Sequence, residues 1–401
     1  MSPRRTSHLE LVIILGALTA FAPLAIDMYL PALPTLERAF LATTAEVQRT
    51  LATFFLGFAL GQALYGPVAD RFGRKPPLYA GLVLFGLASM ACALAQSVEA
   101  LSALRFLQAI GACSGAVVAR AMVRDLFEPQ ETARIYSALM LVMGVAPILA
   151  PLLGGYLLVW FGWQAIFWLL AALALASIAA VALRLPETHD PKTAHSLSLG
   201  PVLARYAALL RHRHFVGYAL SGGMNAAGMF AYIAGSPFVF IELYHVAPEH
   251  FGWIFGTNAA GLIFASQVNG RVVHRYGADR ILRFGNLLQT IAALALVATA
   301  ATGWGGILGI VIPLFVYVGC VGLVSPNAIA LAMAPQGAQA GSASALVGTL
   351  QFSVAAIAAT AVGAIHRESA LPMAIIIAIC GTLGLLLHRW LVGGLSSRAS
   401  V

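Results

Sequence analysis

Asp27 and Arg105 are the residues of this chain best placed to do chemistry, because each sets a charge inside a run of apolar residues. A carboxylate in such a run pairs with a cation, faces water or holds a proton, since an isolated buried charge is costly. If its surroundings alternate between those conditions, it binds and releases a proton and can couple proton movement to another process. Asp27 is the only Asp or Glu deep inside any apolar run, and Arg105 the only deeply placed base. A static ion pair between helices, or an Asp capping the break made by Pro31 and Pro34, also accommodates these residues.

The elements that hold them are long and apolar. Of 401 residues 60% are hydrophobic and 9% charged, a balance suited to a surface facing lipid rather than water. Apolar runs of about 20 residues predict helices near 11–33, 46–69, 77–96, 99–122, 134–157, 163–184, 215–240, 250–272, 281–301, 305–330, 338–362 and 371–391. The chain reads as an all-α membrane protein with twelve transmembrane helices. On these bounds Asp27 and Arg105 both lie about 9 Å inside the outer boundary, so a contact between them is geometrically allowed. Arg105 and Gln108, three apart, share a face expected to line a cavity or meet helix 1.

Basic residues mark the cytoplasmic side. With the N-terminus inside, Arg4, Arg5, the 71–75 group, Arg120 to Arg134, the 184–213 group, Arg271 to Arg283, Arg389 and Arg398 are cytoplasmic, and only Arg38, Arg49 and Arg367 fall outside. The formal charge of +8 is therefore topological and implies no nucleic-acid partner. The first apolar run follows a basic start but is too long for a signal peptide and lacks a small-residue cleavage site, so it is expected to stay. Cys92, Cys113, Cys320 and Cys380 have no ligand-like spacing and are expected to pack.

A polar interval over 185–214 splits the runs into 1–184 and 215–401, six on each side. Gly270-Arg-Val272-Val-His-Arg275-Tyr-Gly277, after the eighth run, repeats Gly66-Pro-Val68-Ala-Asp70-Arg71-Phe-Gly73, after the second. The repeat implies two pseudo-symmetric six-helix halves with a substrate cavity between them at mid-membrane.

Four motifs then stand in order: Asp27-Met-Tyr-Leu-Pro31-Ala-Leu-Pro34; the 66–75 loop, continuing to Arg74 and Lys75; Arg105-Phe-Leu-Gln108-Ala-Ile-Gly111; and Ala146-Pro147-Ile-Leu-Ala-Pro151-Leu-Leu-Gly154-Gly155. With Pro326-Asn327 and Gly341-Ser-Ala-Ser-Ala-Leu-Val-Gly348-Thr-Leu-Gln351-Phe352, the chain resembles a Major Facilitator Superfamily transporter over essentially its whole length. More closely, it resembles the bicyclomycin-resistance (Bcr/CflA) branch of drug:proton antiporters. The resemblance implies proton translocation at Arg105 and a conformational latch built on Gly66, Asp70, Arg71, Gly73, Arg74 and Lys75. From the residues alone, that loop serves equally as a basic topogenic turn, and Gly66 and Gly73 would let it turn tightly and helices approach closely. Pro147, Pro151, Gly154 and Gly155 match the antiporter helix, although Ala150 stands where that signature has Gly. A kinked, closely packed helix is expected there in either case.

Cavity candidates are Tyr29, Gln108, Met143, Asn225, Phe230, Tyr232, Asn258, Asn327, Gln351 and Phe352. The amides, with Gln289, could equally bridge helices. The chain has only two lysines, Lys75 after Arg and Lys192 after Pro, so it holds no ATP-binding Gly-Lys-Ser/Thr loop, and it has no His-Glu-x-x-His. The expectation is a monomeric inner-membrane protein of bacteria with both termini cytoplasmic. It would sit among lipids and export drug-like amphipathic compounds, with the proton as coupling ion and no cofactor. A symporter or facilitator of a small metabolite is the rival on the same fold.

Overall fold

The computed structural model describes residues 8–188, 199–365 and 369–392. Arg4, Arg5, Lys192, Arg367 and Arg398 lie outside them. Helices occupy nearly all of the described chain: α1 (His8–Asp27), α2 (Leu33–Phe40), α3 (Thr44–Phe72), α4 (Lys75–Ala93), α5 (Val98–Leu126), α6 (Pro129–Phe161), α7 (Gln164–Arg184), α8 (Leu199–Arg211), α9 (Arg213–Pro237), α10 (Pro248–Tyr276), α11 (Ala278–Thr302), α12 (Gly306–Met333), α13 (Ala340–Ala364) and α14 (Leu371–Leu387).

Eleven helical segments of the described residues are long and apolar enough to cross a membrane. The twelfth expected span, α10, has 29 residues but carries Glu249, His250, Asn258, Asn269 and Arg271 along its length. It is shielded by packing against α6 and α12.

Local signals set the helix ends. Thr43 and Glu46 form a reciprocal capping box at the start of α3, with Thr43 N donating to Glu46 Oε2 at 2.8 Å and Glu46 N to Thr43 Oγ1 at 3.3 Å. The internal repeat reappears in three dimensions. Both α3 and α10 run 29 residues and stop at a glycine of positive φ, Gly73 at 87° and Gly277 at 78°.

Three boundaries differ from the sequence expectation. The first span continues past a break at Asp27, through a short turn at Leu30–Ala32, to Phe40 instead of ending near 33. The α3 helix runs through Gly66 and Pro67 to Phe72, so the turn begins at Gly73; a Cβ at Gly66 would meet nothing within 4 Å, and no close approach depends on it. Pro67 has no N–H for the Ala63 carbonyl, and the Tyr206 hydroxyl of α8 donates to that carbonyl at 3.5 Å. The polar interval thus contains a helix, α8, which also packs on α9 and α13.

Spans from α1 to α7 pack among themselves, as do spans from α9 to α14. The two sets meet where α3 packs on α13 and α6 on α10. These are the second span with the eleventh and the fifth with the eighth, pairs that a shift of six spans interchanges, as two-fold pseudo-symmetry requires.

Candidate functional site

Between the two sets lies a cavity of about 460 Å³. Its wall runs from Asp27, at the end of α1, to Arg120, Tyr136 and Ser344, near the ends of α5, α6 and α13 on the face that carries Arg71, Arg74 and Lys75.

The opposite face is closed above it. Arg38 of α2 meets Glu242, just beyond α9, at 2.5 Å. Gln48 Nε2 donates to the Ala234 carbonyl at 3.1 Å. A Cβ on Gly155 would fall 2.5 Å from the Pro248 carbonyl oxygen at the start of α10, and one on Gly154 2.0 Å from that of Met28. The paired glycines of α6 therefore serve two contacts, one within the first set of helices and one across the seam.

Asp27 is buried, and among the described residues none forms a hydrogen bond or ion pair with its carboxylate. It faces the cavity in electrostatic range of the Tyr232 hydroxyl. That hydroxyl accepts a 2.9 Å hydrogen bond from Asn258 Nδ2, and its ring stacks on Phe255 with centroids 5.4 Å apart. Nearby, Phe352 packs on Phe58 at 4.6 Å and on Phe230 at 5.3 Å, an aromatic wall shared by α3, α9 and α13. Pro23 and Pro147 each leave the carbonyl four residues earlier, Thr19 and Met143, without its helical donor, and all four residues line the cavity.

Six of the ten expected cavity residues are in the wall: Met143, Phe230, Tyr232, Asn258, Gln351 and Phe352. Four are not. Tyr29 and Gln108 belong to the surroundings of Arg105. Asn225 ties α9 to α11 by donating to Asn286 Oδ1 at 2.6 Å, with a second bond to the Ser221 carbonyl of its own helix at 2.9 Å, and Asn327 donates to Asn269 Oδ1 at 2.6 Å. Gln289 likewise donates to the Tyr317 carbonyl. A buried amide without a partner is costly, so those pointing at a neighbouring helix become bridges.

Arg105 lies at the depth expected, but it does not meet Asp27. Its guanidinium carbon sits 4.5 Å from the Tyr29 ring centroid and 4.3 Å from that of Phe54, fully buried, and Nη1 donates to Gln108 Oε1. Gln108 Nε2 continues the chain to Ser89 Oγ at 2.7 Å. Tyr29, two residues beyond Asp27, makes the contact with Arg105 that helical rise alone allowed to Asp27. Among the described residues the Nε and Nη2 groups of Arg105 have no acceptor.

At the basic face, Arg74 is buried between two carboxylates, with Nε donating to Asp125 Oδ2 and Nη1 to Asp70 Oδ1, each at 2.7 Å. Burial works against its charge, but these bonds outweigh that cost and hold its pKa above the ordinary value. The backbone N–H groups of Arg74 and Lys75 donate to Glu187, and Lys75 Nζ to the Leu185 carbonyl. In this conformation these bonds of Arg74 and Lys75 tie α3, α4, α5 and the segment after α7 together within the first set.

Arg120, near the end of the expected 99–122 span and counted among the cytoplasmic basic residues, here lines the cavity. A signal was available in its spacing four residues after Ala116, another lining residue, on a helix that continues to Leu126.

Comparison with known proteins agrees with this architecture. The family model of the Major Facilitator Superfamily matches residues 15–360. An uncharacterized MFS-type transporter, YdgK, of Bacillus subtilis is 36% identical over 96% of this chain and 95% of its own length. A bicyclomycin resistance protein homolog of Haemophilus influenzae is 31% identical over 95% of each. The crystal structure of a D-xylose-proton symporter superposes with a TM-score of 0.75 at 16% identity, covering 96% of this chain and 98% of that one, a likeness of fold alone. With its helices in two related sets around a central cavity, the chain belongs to the Major Facilitator Superfamily of membrane transporters.

Proposed function

We propose that this transporter exports drugs or other small amphipathic compounds across the bacterial inner membrane in exchange for protons. Asp27 would be the coupling group, the basic face and both termini would be cytoplasmic, and the monomer would be the working unit. The observation that carries this reading is an acid buried in the wall of an otherwise largely apolar and aromatic cavity, with no cation beside it among the described residues. Such a group gains or loses a proton as the cavity changes its exposure, and the aromatic wall suits varied apolar bodies. The resistance name of the Haemophilus relative, which spans nearly the whole chain, supports export.

In the conformation described, the outer side is closed and the wall reaches the basic face. That is the state in which a compound would enter from the cytoplasm before the seam at α6 and α10 opens. Arg105 would act on this cycle from its aromatic cage, through α1, rather than by direct contact with Asp27. Inside-out membrane vesicles from a pump-deficient bacterium expressing the chain test the reading. Export predicts proton-driven accumulation of an amphipathic dye in the vesicle lumen; proton-driven loss from the lumen supports the symporter instead.

A further inference from the structure

Among the described residues that line the cavity, Asp27 and Arg120 are the only charged ones. Arg120 is half-buried on α5, and among the described residues its guanidinium makes one hydrogen bond: Nη2 donates to Gln62 Oε1, a neutral amide, at 3.3 Å. Among the described residues no carboxylate pairs with it. The nearby Tyr136 hydroxyl donates to the Arg120 backbone carbonyl at 2.8 Å and brings no charge to the guanidinium. A guanidinium carries five N–H donors in a planar fork matched to two-oxygen anions. In an apolar cavity that charge is costly until something binds it.

We infer that Arg120 anchors substrate, and that the cavity takes organic monoanions in which a carboxylate or similar oxyanion is attached to an aromatic or aliphatic body. This rests on the proposal that the cavity is the substrate site. Arg105 and Arg120 are fifteen residues apart on one helix, about 22 Å at 1.5 Å per residue, and Arg105 is level with the turn that follows Asp27. The anion anchor and the proton site therefore stand at opposite ends of the cavity. An oxyanion held at Arg120 leaves Asp27 free to titrate, while its body lies against Phe58, Phe230 and Phe352.

The test is equilibrium binding of radiolabelled naphthoate and naphthamide, a matched anion and neutral amide, to the full chain in lipid nanodiscs at neutral pH. Wild type is expected to bind both, naphthoate more tightly. Arg120→Gln should weaken naphthoate by roughly ten- to a hundredfold, the range of a charge-assisted hydrogen bond, and naphthamide by far less. Arg120→Lys, which keeps the charge but not the fork, should recover part of the loss and shows that the site is otherwise intact. Equal weakening of both ligands by Arg120→Gln, or unchanged naphthoate affinity, overturns the anchor. Wild type that binds naphthamide but not naphthoate overturns it too, while leaving the efflux reading standing. Wild type that binds neither ligand counts against both.

Discussion

Arg38 and Glu242, 204 positions apart in sequence, meet at 2.5 Å across the seam between the two helix sets. Their side chains are 73% and 38% exposed, so the pair is worth only about 0–1 kcal/mol and is weakened by salt. Glu242→Gln should therefore shift the balance between outer-closed and outer-open states by about fivefold at most. Spin labels at Leu41→Cys and Leu243→Cys would report the shift as a change in distance populations.

Gly155 should matter more. A Cβ there would collide with a backbone carbonyl, which cannot rotate away as a side chain can. Gly155→Ala should cost the closed state about 1–3 kcal/mol, up to roughly a hundredfold in population. The same label pair should show a long-distance population exceeding that of Glu242→Gln. An unchanged distribution would mean that α6 and α10 do not hold the outer face shut.

At the basic face the two carboxylates on Arg74 are unequal. Asp70 is 67% exposed and Asp125 only 18%. Asp70→Asn should destabilise by at most about 1 kcal/mol, while Asp125→Asn, which strips a buried guanidinium and also the Thr188 hydroxyl, should cost about 1–3 kcal/mol. Thermal unfolding of the detergent-solubilised variants checks the order. Equal losses would show that Arg74 is held by its other contacts.

How much of this was legible in the sequence depended on periodicity more than direction. Apolar length found the spans, and Gly73 and Gly277 marked the repeated helix ends. Depth followed from helical rise, which is why Tyr29, two residues beyond Asp27, does reach Arg105. Which way a side chain faces around its helix did not follow: Asn225 and Asn258 read alike, yet one bridges to Asn286 and the other lines the cavity. Arg120 was lost to the basic-residue rule because that rule counts charge near a membrane edge without asking whether the helix continues past it.

Arg105 offers a separation of stability from function. It is a fully buried cation that, among the described residues, has no carboxylate partner and two nitrogen groups without acceptors. Replacing such a charge with an apolar side chain of similar length is often neutral or stabilising, by about 1–4 kcal/mol. Arg105→Met should therefore unfold no earlier than wild type yet transport poorly. The pH dependence of substrate binding should be unaltered, because Arg105 does not touch Asp27 in this state. A shifted pH profile would place the two residues in contact after all.

The central claim is that Asp27 carries the proton. Purified wild type and Asp27→Asn, reconstituted in liposomes acidic inside, should be compared for uptake of an amphipathic substrate. The asparagine keeps the shape of the aspartate but cannot titrate, so the variant should bind substrate, exchange it down a concentration gradient and fail to concentrate it when the proton gradient is imposed. Concentrative, gradient-driven uptake by Asp27→Asn at the wild-type rate would contradict the account.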